Sequence, residues 1–245
     1  MNNQKPQTKD EGLNGKKTAA PVQRFVHPYF EQDGITIYHG DARSIFPRLG
    51  LDAVLTDPPY GISHKHSGGG NAGPKNPNSR RNSDRVTGDA EPFDPAWLFQ
   101  YRELLLFGAT HYHHALPSGG RWIAWDKLCD REPWDSFSDV EFAWMNRDGK
   151  DLMVSYTWKG LIWEGSKNGK AIPRRVHPTQ KPVSVMAWCL DLFDAETVCD
   201  PYMGSGTTLV AAKLAGRRAV GIEIEERYCE IAANRLLQGV LPFVG

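Results

Sequence analysis

Two stretches of the chain carry side chains whose types and spacing could do chemistry. The first is Thr56-Asp57-Pro58-Pro59-Tyr60-Gly61. Two consecutive prolines fix their φ angles and have no N–H to donate, so the turn is stiff and its carbonyls are left for something other than a strand ladder. A carboxylate, exposed carbonyls and an aromatic face are thereby held together. That trio suits a planar ligand carrying an amino group. The same four residues also occur in plain rigid loops, so their meaning depends on what else the chain supplies.

The second stretch is Asp200-Pro201-Tyr202-Met203-Gly204-Ser205-Gly206-Thr207-Thr208. Its glycines allow a tight strand-to-helix turn and close approach of a ligand to the backbone. Glu223 closes the next strand, at about the offset where a ribose-binding acid belongs in a nucleotide fold. Position 209 is Leu where a dinucleotide fingerprint would want Gly or Ala, and Asp200 stands at the turn's entrance. That acid would repel a diphosphate but not a cationic sulfonium with an ammonium group. The pattern favours S-adenosylmethionine over NAD. His111, His113 and His114 lack any matching Cys or carboxylate spacing, so they predict a surface turn and no metal site.

Both stretches need strands to position them. The apolar run Asp52-Ala53-Val54-Leu55 reads as a short buried strand, delivering Asp57 and Tyr60 to its C-terminal end, where open α/β sheets keep their chemistry. Before it, Ile35 to His39 reads as a strand, Gly40-Asp41 as a turn and Ala42 to Leu49 as a helix, giving β-α-β. Asp94-Pro95 is a good helix start, with the helix running to about Glu103. Leu104 to Ala109 and Arg121 to Trp125 read as buried strands. Val140 to Met145 and Leu152 to Trp158 flank the turn-like Arg147-Asp148-Gly149, which predicts an antiparallel edge hairpin on an otherwise parallel sheet. Pro182 to Phe193 is an apolar-periodic helix. The last unit is strand Thr197 to Cys199, the Gly-rich turn, helix Thr207 to Ala215, strand Arg218 to Ile222 and helix Glu225 to Leu237.

The 245 residues, 40% hydrophobic and 24% charged, fit a single α/β domain over 24–245. Residues 1–23 are polar and predict a disordered tail, and residues 62–90 a long mobile loop. Net charge is zero, so any contact with nucleic acid must rest on local patches. The four cysteines, Cys129, Cys189, Cys199 and Cys229, have no CxxC spacing and read as reduced core thiols. No apolar run is long enough to cross a bilayer, which predicts a soluble, cytoplasmic protein without a membrane partner. Oligomeric state is not readable.

Three motifs taken together, Asp57-Pro58-Pro59-Tyr60, then His177-Pro178-Thr179-Gln180-Lys181-Pro182, then Asp200 to Thr208 with Glu223, resemble the beta class of amino-directed (N6-adenine/N4-cytosine) DNA methyltransferases. The match spans roughly residues 35 to 238. Trp125-Asp126-Lys127 and Glu141-Phe142-Ala143-Trp144 also look like compact phage- or prophage-encoded members. The resemblance implies a Rossmann-like three-layer sandwich with a mostly parallel sheet, in circularly permuted motif order, since in this class the catalytic motif precedes the cofactor motif. It implies transfer of a methyl group from S-adenosylmethionine to adenine N6 of a base flipped out of double-stranded DNA. Asp57 and the Pro58 carbonyl would accept the two amino N–H bonds and Tyr60 would stack on the base, a contact worth about 1–3 kcal/mol. The adenosine would lie against Asp41 and Glu223, and the methionine end near Asp200, Gly204 and Gly206, with Thr179 and Lys181 helping to hold it.

Asp at position 57, where cytosine-N4 enzymes more often have Ser, points to adenine. Methylation of cytosine N4 or of an RNA base stands as an alternative. A catalytically silent DNA-binding or cofactor-sensing module and an NAD-dependent dehydrogenase are further readings. The family places target recognition between the hairpin and the HPTQKP motif, here residues 159–176. The loop from Ile62 to Gly88 is expected to help, so Arg80 and Arg81 from that loop and Lys159, Trp163, Arg174 and Arg175 from the segment are expected to contact DNA.

Overall fold

Along the run Glu103–Phe107 (β4), Leu104 and Leu106 pack to one side of a sheet and Leu105 and Phe107 to the other, all of them buried. A strand apolar on both faces has to be sandwiched. The structure, a computed structural model, describes residues 27–61, 91–129, 132, 138–159, 162–163 and 180–238, with backbone only at 159, 162 and 163. The expected tail over 1–23, the loop over 62–90 and most of the recognition segment over 159–176 lie outside the described residues.

In chain order the other strands are β1 (Phe30–Gln32), β2 (Ile35–His39), β3 (Ala53–Thr56), β5 (Arg121–Asp126), β6 (Val140–Met145), β7 (Leu152–Ser155), β8 (Trp158–Lys159), β9 (Ile162–Trp163), β10 (Thr197–Asp200) and β11 (Arg218–Glu223). Eight of them join β4 in one nine-stranded sheet, in the order β1-β2-β11-β10-β3-β4-β6-β5-β7. β2, β11, β10, β3 and β4 run parallel. Helices α2 (Val183–Leu190), α3 (Thr207–Leu214) and α4 (Glu226–Leu237) supply Val185, Leu209 and Cys229 to one face of the sheet. Helix α1 (Ala42–Ile45) and short 3-10 turns supply Ala42, Phe46 and Tyr112 to the other face. This is the expected three-layer α/β sandwich.

The edge hairpin is a different object from the one expected. β6 does not pair with β7. It is inserted antiparallel between β4 and β5, and β7 runs parallel to β5 at the sheet's edge. The Arg147-Asp148-Gly149 turn signal is local, whereas an interior slot buries Ala143, Trp144 and Met145 on both faces. Asp148 instead accepts from Gly120 N at 2.8 Å, tying that turn to the start of β5. The helix expected from Asp94 to Glu103 is a single 3-10 turn, Ala96–Leu98, because Glu103 is already in β4. The turn's N-cap is Pro95, and Asp94, one residue earlier, accepts from Ala96 N at 2.9 Å. The opposite edge carries β1, which pairs antiparallel with β2 through the Asp33-Gly34 turn and went unread in the sequence.

Candidate active site

The direction of chain travel reverses at the centre of the sheet. From β10 the chain crosses through α3 to β11 on one side, and from β3 it proceeds to β4 on the other. Ligands of open α/β sheets bind in the crevice outside the carboxyl ends of the strands at such a switch point. β10 and β3 lie side by side there, with Cys199 opposite Val54. Asp57 leaves the end of β3 and Asp200 ends β10. The two stretches singled out in the sequence thus meet, and Thr56 Oγ1 donates to Asp200 Oδ1 at 2.7 Å.

Around Asp57 the described side chains form a closed polar cluster. Tyr60 Oη donates to Asp57 Oδ1. Lys181 Nζ donates to Asp57 Oδ2 at 2.5 Å and pairs with Glu141 Oε1 at 2.7 Å. Lys127 Nζ pairs with the other Glu141 oxygen at 2.9 Å. Two acids and two lysines balance, as burial requires. Burial pushes the Asp57 carboxyl above its ordinary range, with Lys181 pulling against it and Glu141 adding to the rise. Burial alone would raise Glu141 too, but Lys181 and Lys127 overcome it and hold that carboxyl down to about 2. Lys181 is buried, yet its two acids keep it cationic, above the usual lysine value. Its ammonium also lies 5.2 Å from the centre of the Phe107 ring.

Tyr60 stacks on His111, with ring centroids 4.7 Å apart and planes 19° from parallel. Gly108 makes room for that ring. Its φ is +65°, and a Cβ there would fall 1.9 Å from Tyr60 Cε1. The histidine run is a 3-10 surface turn as expected, and no group of metal-ligating side chains occurs among the described residues.

The second stretch builds a cradle. Gly204 and Gly206 have φ of +50° and +76°. A Cβ on Gly206 would meet Ala232 Cβ at 2.7 Å, so the turn sits tight on α4. Glu223 accepts from Gly204 N at 3.0 Å and Glu225 N at 2.8 Å. Gly40 N donates to the Glu223 carbonyl at 2.8 Å, which brings Asp41 alongside. Asp41 caps α1, accepting from Arg43 N and Ser44 Oγ at 3.0 and 3.1 Å. Asp200 accepts from Thr56, Thr208 and Tyr202 N, and burial still lifts its carboxyl to about 6.

Of the residues expected from the sequence, the structure therefore gathers Asp57, Pro58, Pro59, Tyr60 and Lys181 in one cluster. Asp41, Asp200, Gly204, Gly206 and Glu223 line the adjoining carboxyl edge. Lys181, expected at the cofactor's methionine end, has its ammonium on Asp57 and Glu141. Thr179, Arg80, Arg81, Arg174 and Arg175 lie outside the described residues. Lys159 and Trp163 fall on the two-stranded β8–β9 ribbon, where Trp158 faces Trp163 in register. Glu141, Lys127 and His111 were not picked out as site residues. Glu141 and Lys127 were visible only as parts of motifs, because their place follows from the position of β6 in the sheet.

A family profile described as a DNA methylase, N6_N4_Mtase, matches residues 130–234. The type II methyltransferase M2.LlaDCHI of Lactococcus lactis subsp. cremoris is 25% identical over 251 residues, covering 86% of this chain and 93% of that protein. M2.DpnII of Streptococcus pneumoniae, another type II methyltransferase, is 24% identical over 248 residues, covering 85% and 92%. Among solved structures, the cytosine-N4-specific PvuII DNA methyltransferase superposes with a TM-score of 0.56 at 12% identity, covering 87% of this chain and 90% of that one. That last likeness is one of fold. The profile, the near full-length relatives and the junction of the two motifs agree: the chain is similar to amino-directed (N6/N4) DNA methylases.

Proposed function

We propose that the protein transfers a methyl group from S-adenosylmethionine to the N6 amino group of a flipped adenine in duplex DNA. The observation that carries this reading is the meeting of the Asp57–Tyr60 turn with the Asp200–Gly206 turn across β3 and β10. The cradle residues fit the cofactor. Asp41, Asp200 and Glu223 concentrate carboxylates where a cation is favoured and a diphosphate disfavoured, and the tight glycine turn leaves backbone close to the crevice. Asp41 and Glu223 would hold the adenosine, and Asp200, Gly204 and Gly206 the methionine end, with Thr179. The cofactor supplies an electrophilic methyl group.

The protein's own work is to orient a poor nucleophile. An exocyclic amine has its lone pair delocalised into the ring. Accepting its two N–H bonds at Asp57 and the Pro58 carbonyl favours a more tetrahedral nitrogen and aims the lone pair into the crevice. Tyr60 stacks on the base and repays part of the cost of unstacking and unpairing it. Asp57 carries the negative charge that stabilises positive charge developing on N6 and takes up the proton released there. No covalent intermediate is required. The four cysteines are free, and Cys189, Cys199 and Cys229 are buried.

Adenine is preferred over cytosine because position 57 is Asp. Arg80, Arg81, Lys159, Trp163, Arg174 and Arg175 are proposed to contact DNA, and the type II relatives fit a site-specific modification enzyme. Incubation of duplex DNA with labelled cofactor, followed by nucleoside analysis, tests the reading. N6-methyladenine is expected, and labelled N4-methylcytosine alone would replace adenine as the target. Asp57→Ala should lower the rate by about 10²–10⁴-fold, with cofactor binding retained. An Asp57→Ala protein as fast as wild type would remove the proposed mechanism.

A further inference from the structure

The mechanism above asks Asp57 to accept a hydrogen bond from the substrate, yet both of its oxygens are engaged. Tyr60 Oη donates to one and the Lys181 ammonium to the other. An ammonium held at 2.5 Å withdraws the charge that should face the amino group. Lys181, however, does not belong to Asp57 alone. Glu141, at the start of the antiparallel strand β6, takes the same ammonium at 2.7 Å. Lys127, just past the end of β5, holds the second Glu141 oxygen at 2.9 Å and limits how much charge Glu141 can offer. We propose that Glu141 is a positioning residue that shares the Lys181 ammonium with Asp57 and so sets how strongly Asp57 accepts the substrate amino group. Lys127 trims that pull from the far side. The inference rests on the methyltransferase reading and adds to it a charge relay of side chains that need not touch base or cofactor.

The groups facing Asp57 come from five elements. Lys181 precedes α2, Glu141 lies on β6, Tyr60 is in its own turn, Tyr112 follows β4, and Asp200 ends β10. Tyr60 Oη also lies 3.5 Å from both Lys181 Nζ and Glu141 Oε1. Glu141 raises Asp57 directly as well as by competing for Lys181, and Lys127 reaches Asp57 by way of Glu141. Their effects must therefore have opposite signs. Glu141→Gln removes a competing acceptor, hands Lys181 wholly to Asp57 and makes Asp57 a weaker base. Lys127→Met leaves Glu141 with its full charge for Lys181 and makes Asp57 a stronger one.

The test is the pH profile of methyl transfer, with kcat and the KM values for DNA and cofactor measured separately. In Glu141→Gln the acid limb is expected to move to lower pH by about half a unit or more, with kcat at the optimum about tenfold lower and both KM values within about threefold of wild type. Glu141→Asp, which keeps the charge, should restore the limb towards its wild-type position. In Lys127→Met the limb should move to higher pH. Limbs that move in the same direction, or not at all, overturn the proposal. So does a Glu141→Gln protein whose sole defect is a raised KM for DNA, which would make Glu141 a DNA contact. Should Glu141→Gln fail to fold, the sign of the Lys127→Met shift decides. A wild-type protein that methylates no DNA sinks the functional reading itself, whereas an active wild type with unmoved limbs sinks only this inference.

Discussion

Tyr60 does two jobs with two parts of one side chain. Its hydroxyl donates to Asp57 and its ring stacks on His111, while the functional reading needs the ring against a base. Substitution separates the parts. Tyr60→Phe keeps an aromatic face and frees one Asp57 oxygen, so methyl transfer should stay within about threefold of wild type. Tyr60→Ala loses stacking worth about 1–3 kcal/mol, so kcat/KM should drop by roughly 5- to 150-fold. Steady-state kinetics on both variants checks this. Equal losses in the two would shift the weight from the ring to the hydroxyl. The stiffness of the turn was legible from the Asp-Pro-Pro-Tyr stretch alone, because prolines stiffen it whatever surrounds it, but its role became legible only with the Gly-rich turn and Glu223. Glu141 was not legible as part of the site. An acid in an apolar-alternating strand reads as a solvent-facing position, and nothing nearby in sequence says that two lysines wait for it.

At the scale of elements, the end of β4 shapes the site through a residue without a side chain. Gly108 has a left-handed φ and faces the Tyr60 ring. Gly108→Ala should therefore both strain the backbone and dislodge Tyr60. Gly50, with φ of +66° and nothing within 4 Å of its missing Cβ, provides the control for strain alone. Gly50→Ala should cost about 1–2 kcal/mol in stability, or a few degrees in Tm, and Gly108→Ala more. Only Gly108→Ala should also lower methyl transfer, by about tenfold or more. Thermal unfolding and kinetics on the pair would show whether activity and strain part company. Strand positions were legible as apolar runs, and those in β2, β3, β4, β5, β10 and β11 fall where the sequence placed them to within a residue or two. Pairing was not. The Arg147-Asp148-Gly149 signal describes a turn, and a turn says only that the chain reverses there. Whether β6 then pairs with β7 or slips between β4 and β5 is decided by burial over the whole sheet. The Asp94-Pro95 signal likewise marked a turn start, one residue early, and was silent about length.

For the molecule as a whole, the cradle and the catalytic turn are built on adjacent strands, so a ligand in one should be felt by the fold as a unit. With S-adenosylmethionine at about 100 times its Kd, linkage adds about 2.7 kcal/mol, which for a chain of this size raises Tm by roughly 5–10 °C. NAD at the same concentration should give no comparable shift. Glu223→Ala should reduce the rise with S-adenosylmethionine, since it removes the carboxylate that accepts from Gly204 N and Glu225 N. Calorimetry or dye-reported unfolding with each ligand checks both statements. A rise with NAD alone would revive the dehydrogenase alternative.

The neighbours at the centre of the sheet come from opposite ends of the chain. β3 pairs with β10 at Val54 and Cys199, and β2 with β11 at Ile35 and Ala219. During synthesis, β2 and β3 leave the ribosome with their partners still untranslated, and each has an apolar flank that nothing yet covers. Bringing such distant segments together costs loop-closure entropy before any contact repays it, which makes the central closure a late step of folding. Until β10 and β11 arrive, the nascent chain offers open strand edges to other chains, a period in which a chaperone would find its substrate.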